Sequence, residues 1–190
     1  MPAARQTRHE RTAAEIVDAA WKLAAARGLA GFTLRDMAAD VGMRAPSLYS
    51  YFGSKASIYD AMFIEGNRAL MDRQQEWAAS DSPTLHEAAA GFVEFCTENP
   101  TRYQLLFQRV IPGWHPSATA YASAVEVYDS MRARLAQLGV REAKHLDLWT
   151  ALLTGLTDQQ ISNDPGGNRW SQLVDDAVDM FIAHTQGATS

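Results

Sequence analysis

Apolar residues recur at three- and four-residue spacing through most of this 190-residue chain, and no convincing alternation of the kind that marks a β-strand is present. Glycine and proline interrupt the pattern at short intervals, at Gly28, Gly42, Pro83, Pro100 and Gly139 among other places. These interruptions divide the chain into about nine helices. We therefore expect an all-α fold, and the 47% of hydrophobic residues is enough to build its core without metal ions or disulfides.

Residues 33–52 have the pattern of a helix-turn-helix. Thr33 and Asp36 have the spacing of a capping box at the start of a short helix, with Asp36 in place of the usual glutamate. A helix-turn-helix needs a small residue where its helices cross and a glycine in the turn, and Ala38 and Gly42 supply them. The apolar contacts between the two helices are expected from Met37, Val41, Leu48 and Phe52.

The order and spacing of residues 16–20, 28–42 and 47–55 resemble the tetracycline-repressor (TetR) family of bacterial regulators, over about residues 10–60. After Lys55 this chain has Ala56-Ser57-Ile58, where the family usually continues with an acidic residue and leucine. The resemblance implies a three-helix DNA-binding domain at residues 1–57. It also implies a C-terminal helical bundle for ligand binding and dimerisation at residues 58–190.

The resemblance further implies that the second helix of the motif enters the major groove of double-stranded DNA. The residues assigned to base edges are Arg44, Ala45, Pro46, Ser47 and Ser50. Arg44 is the best candidate for a guanine, because a guanidinium group can bond O6 and N7 together. The remaining DNA-binding candidates, most of them for phosphates, are Thr33, Arg35, Tyr49, Tyr51 and Lys55. For Tyr51 both a phosphate contact and simple packing stay open.

Charge is unevenly distributed along the chain. The formal net charge is −5, but residues 1–57 hold eight Lys and Arg against five acids, a net charge of +3. The remainder carries −8. A DNA-binding surface is a local property of one face, so a basic head on an acidic body is compatible with it. The alternative is that the N-terminal basic residues are only solvated surface, which would give the same net charges.

The last two helices are candidates for a dimer interface. Two recognition helices must meet successive major grooves about 34–36 Å apart, so a homodimer on a palindromic operator is expected. Two apolar stripes at helical spacing fit this role: Leu146, Trp149, Leu153 and Leu156, then Trp170, Leu173, Ala177 and Phe181. The alternative is that these stripes cover only the core of the monomer.

The middle of the chain is rich in aromatic and polar-tipped residues that suit a ligand pocket between helices. They are Met62, Phe92, Phe95, Tyr103, Phe107, Trp114, His115, Tyr121 and Tyr128. A small apolar or aromatic effector is therefore expected to bind among part of this set. Each residue taken alone also fits a plain core or surface position, and Trp114-His115 lies in a proline-bounded loop.

Other classes of function find little support. The five histidines are scattered without zinc-site spacing, no phosphate loop or nucleophile elbow occurs, and no cofactor is expected. The single cysteine, Cys96, lies in an apolar run and is expected to be a small buried residue. Without a signal peptide or membrane span, a cytoplasmic protein is expected. The sequence thus predicts a regulator that acts as a repressor and is released from its operator by a ligand. The alternative is a ligand-binding helical bundle with a reduced or activator-type DNA-binding role.

Overall fold

A computed structural model describes residues 2–79 and 82–187, and within them every regular element is a helix. The nine α-helices of these ranges are α1 (Pro2–Arg27), α2 (Leu34–Asp40), α3 (Ala45–Leu48), α4 (Lys55–Ala78), α5 (Leu85–Glu98), α6 (Pro100–Phe107), α7 (Ala118–Gln137), α8 (Ala143–Asn163) and α9 (Val174–Gly187). A short 3-10 helix, Ser171–Leu173, precedes α9. The all-α prediction and its helix number are confirmed for the described residues.

The chain packs as two compact units. The N-terminal unit consists of Met1–Asn67 and Thr101–Ala124, and the C-terminal unit of Arg68–Pro100 and Val125–Ser190. Helices α4 and α7 contribute to both units. The predicted boundary at residue 57 between a DNA-binding domain and a ligand-binding domain stays a prediction. The packing units differ from it, because α6 and the start of α7 belong to the unit that contains the helix-turn-helix.

One core holds the N-terminal unit together. It forms because the apolar stripe of α1, including Ile16 and Ala20, faces the inner sides of the short helices and of α4. Its largest fully buried members are Phe32, Ile16, Met37, Leu48, Ile58 and Met62. Burying a side chain of this size stabilises a fold by about 1.5–3 kcal/mol, so these contacts fix the short helices α2 and α3 against α1 and α4.

The C-terminal unit has its own core, in which α5 packs against α8 and α9. Four of the eight residues predicted for a dimer interface are buried in this core, namely Leu146, Trp149, Leu153 and Phe181, and a fifth, Ala177, is also buried. Their own chain covers them, which corrects their assignment to an interface. Leu156 and Trp170 are half-buried, and of the eight only Leu173 is exposed. The apolar stripes of α8 and α9 thus correctly indicated buried helix faces, but the helix that covers those faces is α5 of the same chain.

The turn between α8 and α9 is fixed by Gln160, whose side chain is buried. Its carbonyl oxygen accepts hydrogen bonds from the backbone N–H groups of Trp170 (2.9 Å) and Ser171 (3.1 Å). Its amide nitrogen donates to the backbone carbonyl of Asp164. Because one side chain joins both ends of the connection, α9 is held in a defined position on α8.

Two smaller expectations concern the whole chain. Cys96 is buried, as expected. Along the described ranges no helix is both long and apolar enough to cross a membrane.

Candidate nucleic-acid interface and ligand pocket

Helix α2 begins with the predicted capping box. The Asp36 backbone N–H donates to the Thr33 hydroxyl (3.2 Å), and the Thr33 backbone N–H donates to the Asp36 carboxylate (2.8 Å). The Thr33 hydroxyl also donates to that carboxylate (2.7 Å), and Arg27 lies 3.3 Å from it. These contacts, led by the hydrogen bonds from Thr33, hold the pKa of the Asp36 carboxyl below its usual value. The Thr33 hydroxyl proton is therefore engaged within the domain.

The turn between α2 and α3 is built on Gly42, which has a φ of +71°. The Met43 N–H donates to the Ala38 carbonyl (2.8 Å), and the Gly42 N–H donates to the Ala39 carbonyl (3.2 Å). This pair of hydrogen bonds is a Schellman motif, which requires a left-handed residue at the glycine position. The predicted roles of Gly42 in the turn and of Ala38 as a buried small residue are both confirmed.

The segment from Arg44 to Ser50 is the exposed side of the motif. Leu48 is buried, and its carbonyl accepts from the N–H groups of Tyr51 (2.9 Å) and Phe52 (3.0 Å), so a single anchor holds α3 and the turn after it. The predicted base-edge and phosphate residues that are exposed are Arg44, Pro46, Ser47, Tyr49 and Ser50, with Ala45 half-buried among them. Tyr49 is 56% exposed, which agrees with a ring that is not needed for packing. Arg35 is also exposed, on α2.

Lys55 has a different environment from the one that the sequence predicted. Its ammonium group donates to the backbone carbonyls of Phe32 (2.5 Å) and Ala30 (3.4 Å) and lies 4.2 Å from the centroid of the Phe32 ring. Burial lowers the pKa of this ammonium, and the Asp36 carboxylate opposes part of that effect. Two of its three N–H donors are thus directed at its own chain, where they cap the loop between α1 and α2.

Tyr59 lies one turn further along α4 and holds the same loop. Its hydroxyl donates to the backbone carbonyl of Leu29, and its ring packs edge-on against Phe32 at 6.0 Å. Burial raises the pKa of the Tyr59 hydroxyl to about 12. The start of α4 therefore fixes the loop before α2 through two side chains. The sequence analysis did not identify Tyr59, because nothing local connects it to a carbonyl 30 residues earlier.

His9 is a second contact that the sequence did not reveal. Its ring stacks on that of Tyr51. Tyr51 is half-buried as a result, which supports the packing role that was left open for it. Arg8 and Arg11, which flank His9 on α1, are exposed.

A pocket of about 370 Å³ lies within the N-terminal unit, between α4, α6, the loop after α6 and the start of α7. It brings together four of the nine predicted ligand-binding residues, namely Phe107, Trp114, His115 and Tyr121. Their neighbours in its wall are Phe63, Leu105, Leu106, Gln108, Arg109, Ile111 and Pro116. This volume falls within the range of small-molecule sites, about 300–1,000 Å³.

The other five predicted ligand residues are not in the wall of this pocket. Met62 and Tyr103 are buried in the N-terminal unit, where the Tyr103 ring lies 5.4 Å from that of Phe107. Phe92, Phe95 and Tyr128 belong to the C-terminal unit. Phe95 is buried there and Tyr128 is exposed.

Trp114 connects the pocket to α4. Its ring lies 5.5 Å from that of Tyr59 and 6.1 Å from that of Phe63. A second pocket of about 320 Å³ is also lined by Trp114, together with Lys55 and Tyr59. Thus the residue that lines the candidate ligand pocket also packs on the side chain that holds the α1–α2 loop. Elsewhere in the described residues, no group of three potential metal ligands is present.

Comparison with known proteins agrees with this architecture. Residues 16–62 match the sequence model of the family described as "Bacterial regulatory proteins, tetR family". The HTH-type transcriptional regulator Rv1816 of Mycobacterium tuberculosis is 26% identical in an alignment of length 147, and the match covers 72% of this chain and 63% of that relative. The matched segment thus spans less than two thirds of the relative's length.

Solved structures show the fold over nearly the whole chain. The regulatory protein SCO4313 has a TM-score of 0.79 at 20% identity, covering 94% of this chain and 98% of its own. The TetR-family regulator PfmR from Thermus thermophilus has a TM-score of 0.65 at 20% identity, covering 87% and 96%. The fold and the capped helix pair define an all-α helix-turn-helix protein with a DNA-binding fold. Over residues 16–62 the chain is thus similar to the tetR family of bacterial regulatory proteins, and the relatives Rv1816 and PfmR are transcriptional regulators.

Proposed function

We propose that the protein is a homodimeric transcriptional regulator that binds a palindromic operator and is released from it by a small organic effector. The observation that carries the proposal is the exposed segment from Arg44 to Ser50, which projects from a turn and a helix fixed by Gly42 and Leu48. A rigid element that presents polar and small side chains to solvent is what direct contact with base edges requires.

Within this surface the proposed roles follow from exposure and chemistry. Arg44 has the guanidinium fork that suits the O6 and N7 atoms of guanine, and it is exposed at the start of α3. Tyr49 and Arg35 are proposed to contact phosphates, because a hydroxyl and a cation at the edge of a recognition segment fix its register on the duplex. Thr33 and Lys55 are proposed to act mainly on the α1–α2 loop that supports this surface.

The proposed dimer uses the outer face of α8 and α9, which their own chain leaves uncovered. Leu148 is 41% exposed on α8 and Met180 is 72% exposed on α9. Ala151 and Gly155 follow Leu148 at helical spacing, and a Cβ atom added to Gly155 would meet nothing within 4 Å. Small residues beside exposed apolar ones permit another helix to approach closely. A second copy of the chain would bury this face.

The effector is proposed to act through the pocket that contains Trp114. A ligand there changes the packing of Trp114 against Tyr59, and Tyr59 and Lys55 hold the loop that leads into α2. A ligand shifts the protein between two states only by its difference in affinity for them. We therefore propose that the DNA-free state holds the ligand more tightly, with the support for α2 altered.

A band-shift titration on the DNA upstream of the protein's own gene tests the DNA-binding part. Wild type is expected to form a specific complex that weakens steeply as the salt concentration rises, since cations released from phosphates drive part of the binding. Arg44→Ala serves as the matched variant and is expected to prefer the operator over scrambled DNA less strongly than wild type does. If wild type prefers no palindrome in that DNA, the regulator proposal is wrong, and a ligand-binding helical protein is the better description.

A further inference from the structure

The pocket between α4, α6 and α7 has walls of uneven chemistry. Phe63, Leu105 and Ile111 are buried and form an apolar interior. Arg109 and His115 are exposed and lie in the loop at its edge. None of the eleven described residues that line the pocket is an aspartate or a glutamate. A negative group entering the pocket would therefore meet a cation and no carboxylate in its wall.

Arg109 is free to receive such a group. In the described ranges no carboxylate lies within ion-pair distance of its guanidinium, whereas Arg27, Arg73 and Arg132 each pair with an acid of their own chain. A guanidinium binds a carboxylate through two parallel hydrogen bonds, which gives this pair strength and a fixed orientation. An unpaired arginine at the edge of an apolar pocket is thus suited to hold the charged end of a ligand.

The rest of the pocket suits a flat or extended apolar body. Phe107 and Tyr121 are 40% and 58% exposed, and an apolar ligand between them would remove both rings from water. The indole N–H of Trp114 is buried and has no acceptor among the described residues. A buried donor without an acceptor costs stability, and a ligand oxygen would satisfy it.

We infer that the effector is a small amphipathic organic anion, an aryl or acyl carboxylate, whose carboxylate binds Arg109 and whose apolar body lies among Phe107, Trp114 and Tyr121. The inference deepens the proposed effector site and depends on that part of the proposed function. It assigns the selection of charge to Arg109 and the selection of shape to the three aromatic rings.

The test is a calorimetric titration of the full-length protein, without DNA, with 2-naphthoate, 4-phenylbutyrate and decanoate and with the three corresponding amides. For at least one of the pairs, wild type is expected to bind the carboxylate about tenfold more tightly than the amide. Arg109→Gln is expected to reduce that preference to about twofold or less while leaving the amide affinity unchanged. Arg68→Gln removes an exposed arginine outside the pocket and should keep the full preference.

A second pair of variants locates the ligand. Phe107→Ala removes an exposed ring and Trp114→Phe removes the indole N–H, so both are expected to weaken carboxylate and amide alike, with unchanged circular dichroism. Equal affinity of wild type for each carboxylate and its amide overturns the inference. So does a preference that survives Arg109→Gln, binding that survives both ring variants, or no binding of any probe at millimolar concentration. The band shift is measured without ligand and the calorimetric titration without DNA. A negative titration therefore leaves the DNA-binding proposal standing, and a negative band shift does not affect the conclusion from the titration.

Discussion

The ring of Tyr51 stacks on the ring of His9, with their centroids 4.5 Å apart and their planes inclined by 17°. Tyr51 closes the turn after α3, while His9 lies near the start of α1. The contact therefore ties the first helix of the chain to the end of the recognition segment. A stacked aromatic pair contributes about 0.5–1.5 kcal/mol beyond the area it buries.

Replacing His9 by alanine is expected to lower the free energy of unfolding by about 1 kcal/mol, because the stacked pair is lost. DNA affinity should fall as well, since the turn after α3 then loses one of its supports. Urea unfolding and a band shift measure the two effects, and His9→Phe, which keeps an aromatic ring, should retain most of both. The stack has no structural importance if His9→Ala unfolds at the same urea concentration as wild type.

Replacing Lys55 by methionine is expected to destabilise the protein by about 1.5–3 kcal/mol, the usual contribution of hydrogen bonds to a charged group. The carbonyls of Phe32 and Ala30 lose their donor, so the α1–α2 loop loosens. The slope of DNA affinity against salt should stay that of wild type, because the ammonium does not neutralise a phosphate. A phosphate contact, the role that the resemblance implies for Lys55, would instead give the variant a smaller slope. If the melting temperature is unchanged and the slope of DNA affinity against salt falls by about 1, Lys55 contacts a phosphate.

The Tyr59→Phe variant is expected to lose less stability than wild type as the pH becomes alkaline. Burial holds the pKa of the Tyr59 hydroxyl at about 12 in the folded protein, against 10.0 for the exposed group. The unfolded chain therefore loses this proton first, and the contribution of Tyr59 to stability is complete below pH 10 and falls as the pH rises towards 12. Thermal unfolding from about pH 9 to 12 should show a shallower decline for Tyr59→Phe than for wild type. Tyr121→Phe, at an exposed tyrosine, is the matched control and should follow wild type.

Sequence patterns predicted the parts of the fold that depend on near neighbours. The Thr33–Asp36 capping box spans three residues, and the turn at Gly42 is completed by hydrogen bonds over three to five residues. Such contacts are encoded by residue type and spacing alone. Gly28 is a further example, because the sequence indicates an interruption of the helical pattern there and the residue ends α1 with a left-handed φ of +79°.

Contacts between distant residues could not be predicted in the same way. Lys55 matched a phosphate-binding position by resemblance, but its partners lie 23 and 25 residues earlier and depend on how α4 packs. The stripes on α8 and α9 showed that Trp149 and Phe181 face something apolar. Periodicity cannot tell a helix of the same chain from a helix of a second copy, and here the residues lie in the chain's own core. The four pocket residues that were predicted, by contrast, are near neighbours in the sequence, since all lie within residues 107–121.

Replacing Arg44 by alanine is expected to cost about 1–3 kcal/mol of operator binding per half-site and to relax sequence preference at one base pair. The side chain is exposed, so the melting temperature should not change. Affinities for the operator and for single-base variants measure the effect. Lys22→Ala removes another exposed cation, on α1 and outside the motif, and it should leave the order of preference intact. If both variants reduce affinity for all sequences to the same degree, Arg44 contacts only phosphates.

Replacing Leu148 by glutamate is expected to shift the protein from dimer to monomer. Leu148 is exposed on α8 in the single chain, so a charge there costs the monomer little, but burying that charge in a dimer without a partner costs several kcal/mol. Sedimentation at micromolar concentration should show a dimer for wild type and mainly monomer for the variant, with the same helix content by circular dichroism. Val125→Glu places the same charge on the similarly exposed face of α7 and should remain dimeric. Operator affinity should fall with Leu148→Glu alone, because two half-sites are no longer bound by one particle. If Leu148→Glu sediments as wild type does, the outer face of α8 is not the interface, and a dimer through another surface must be sought.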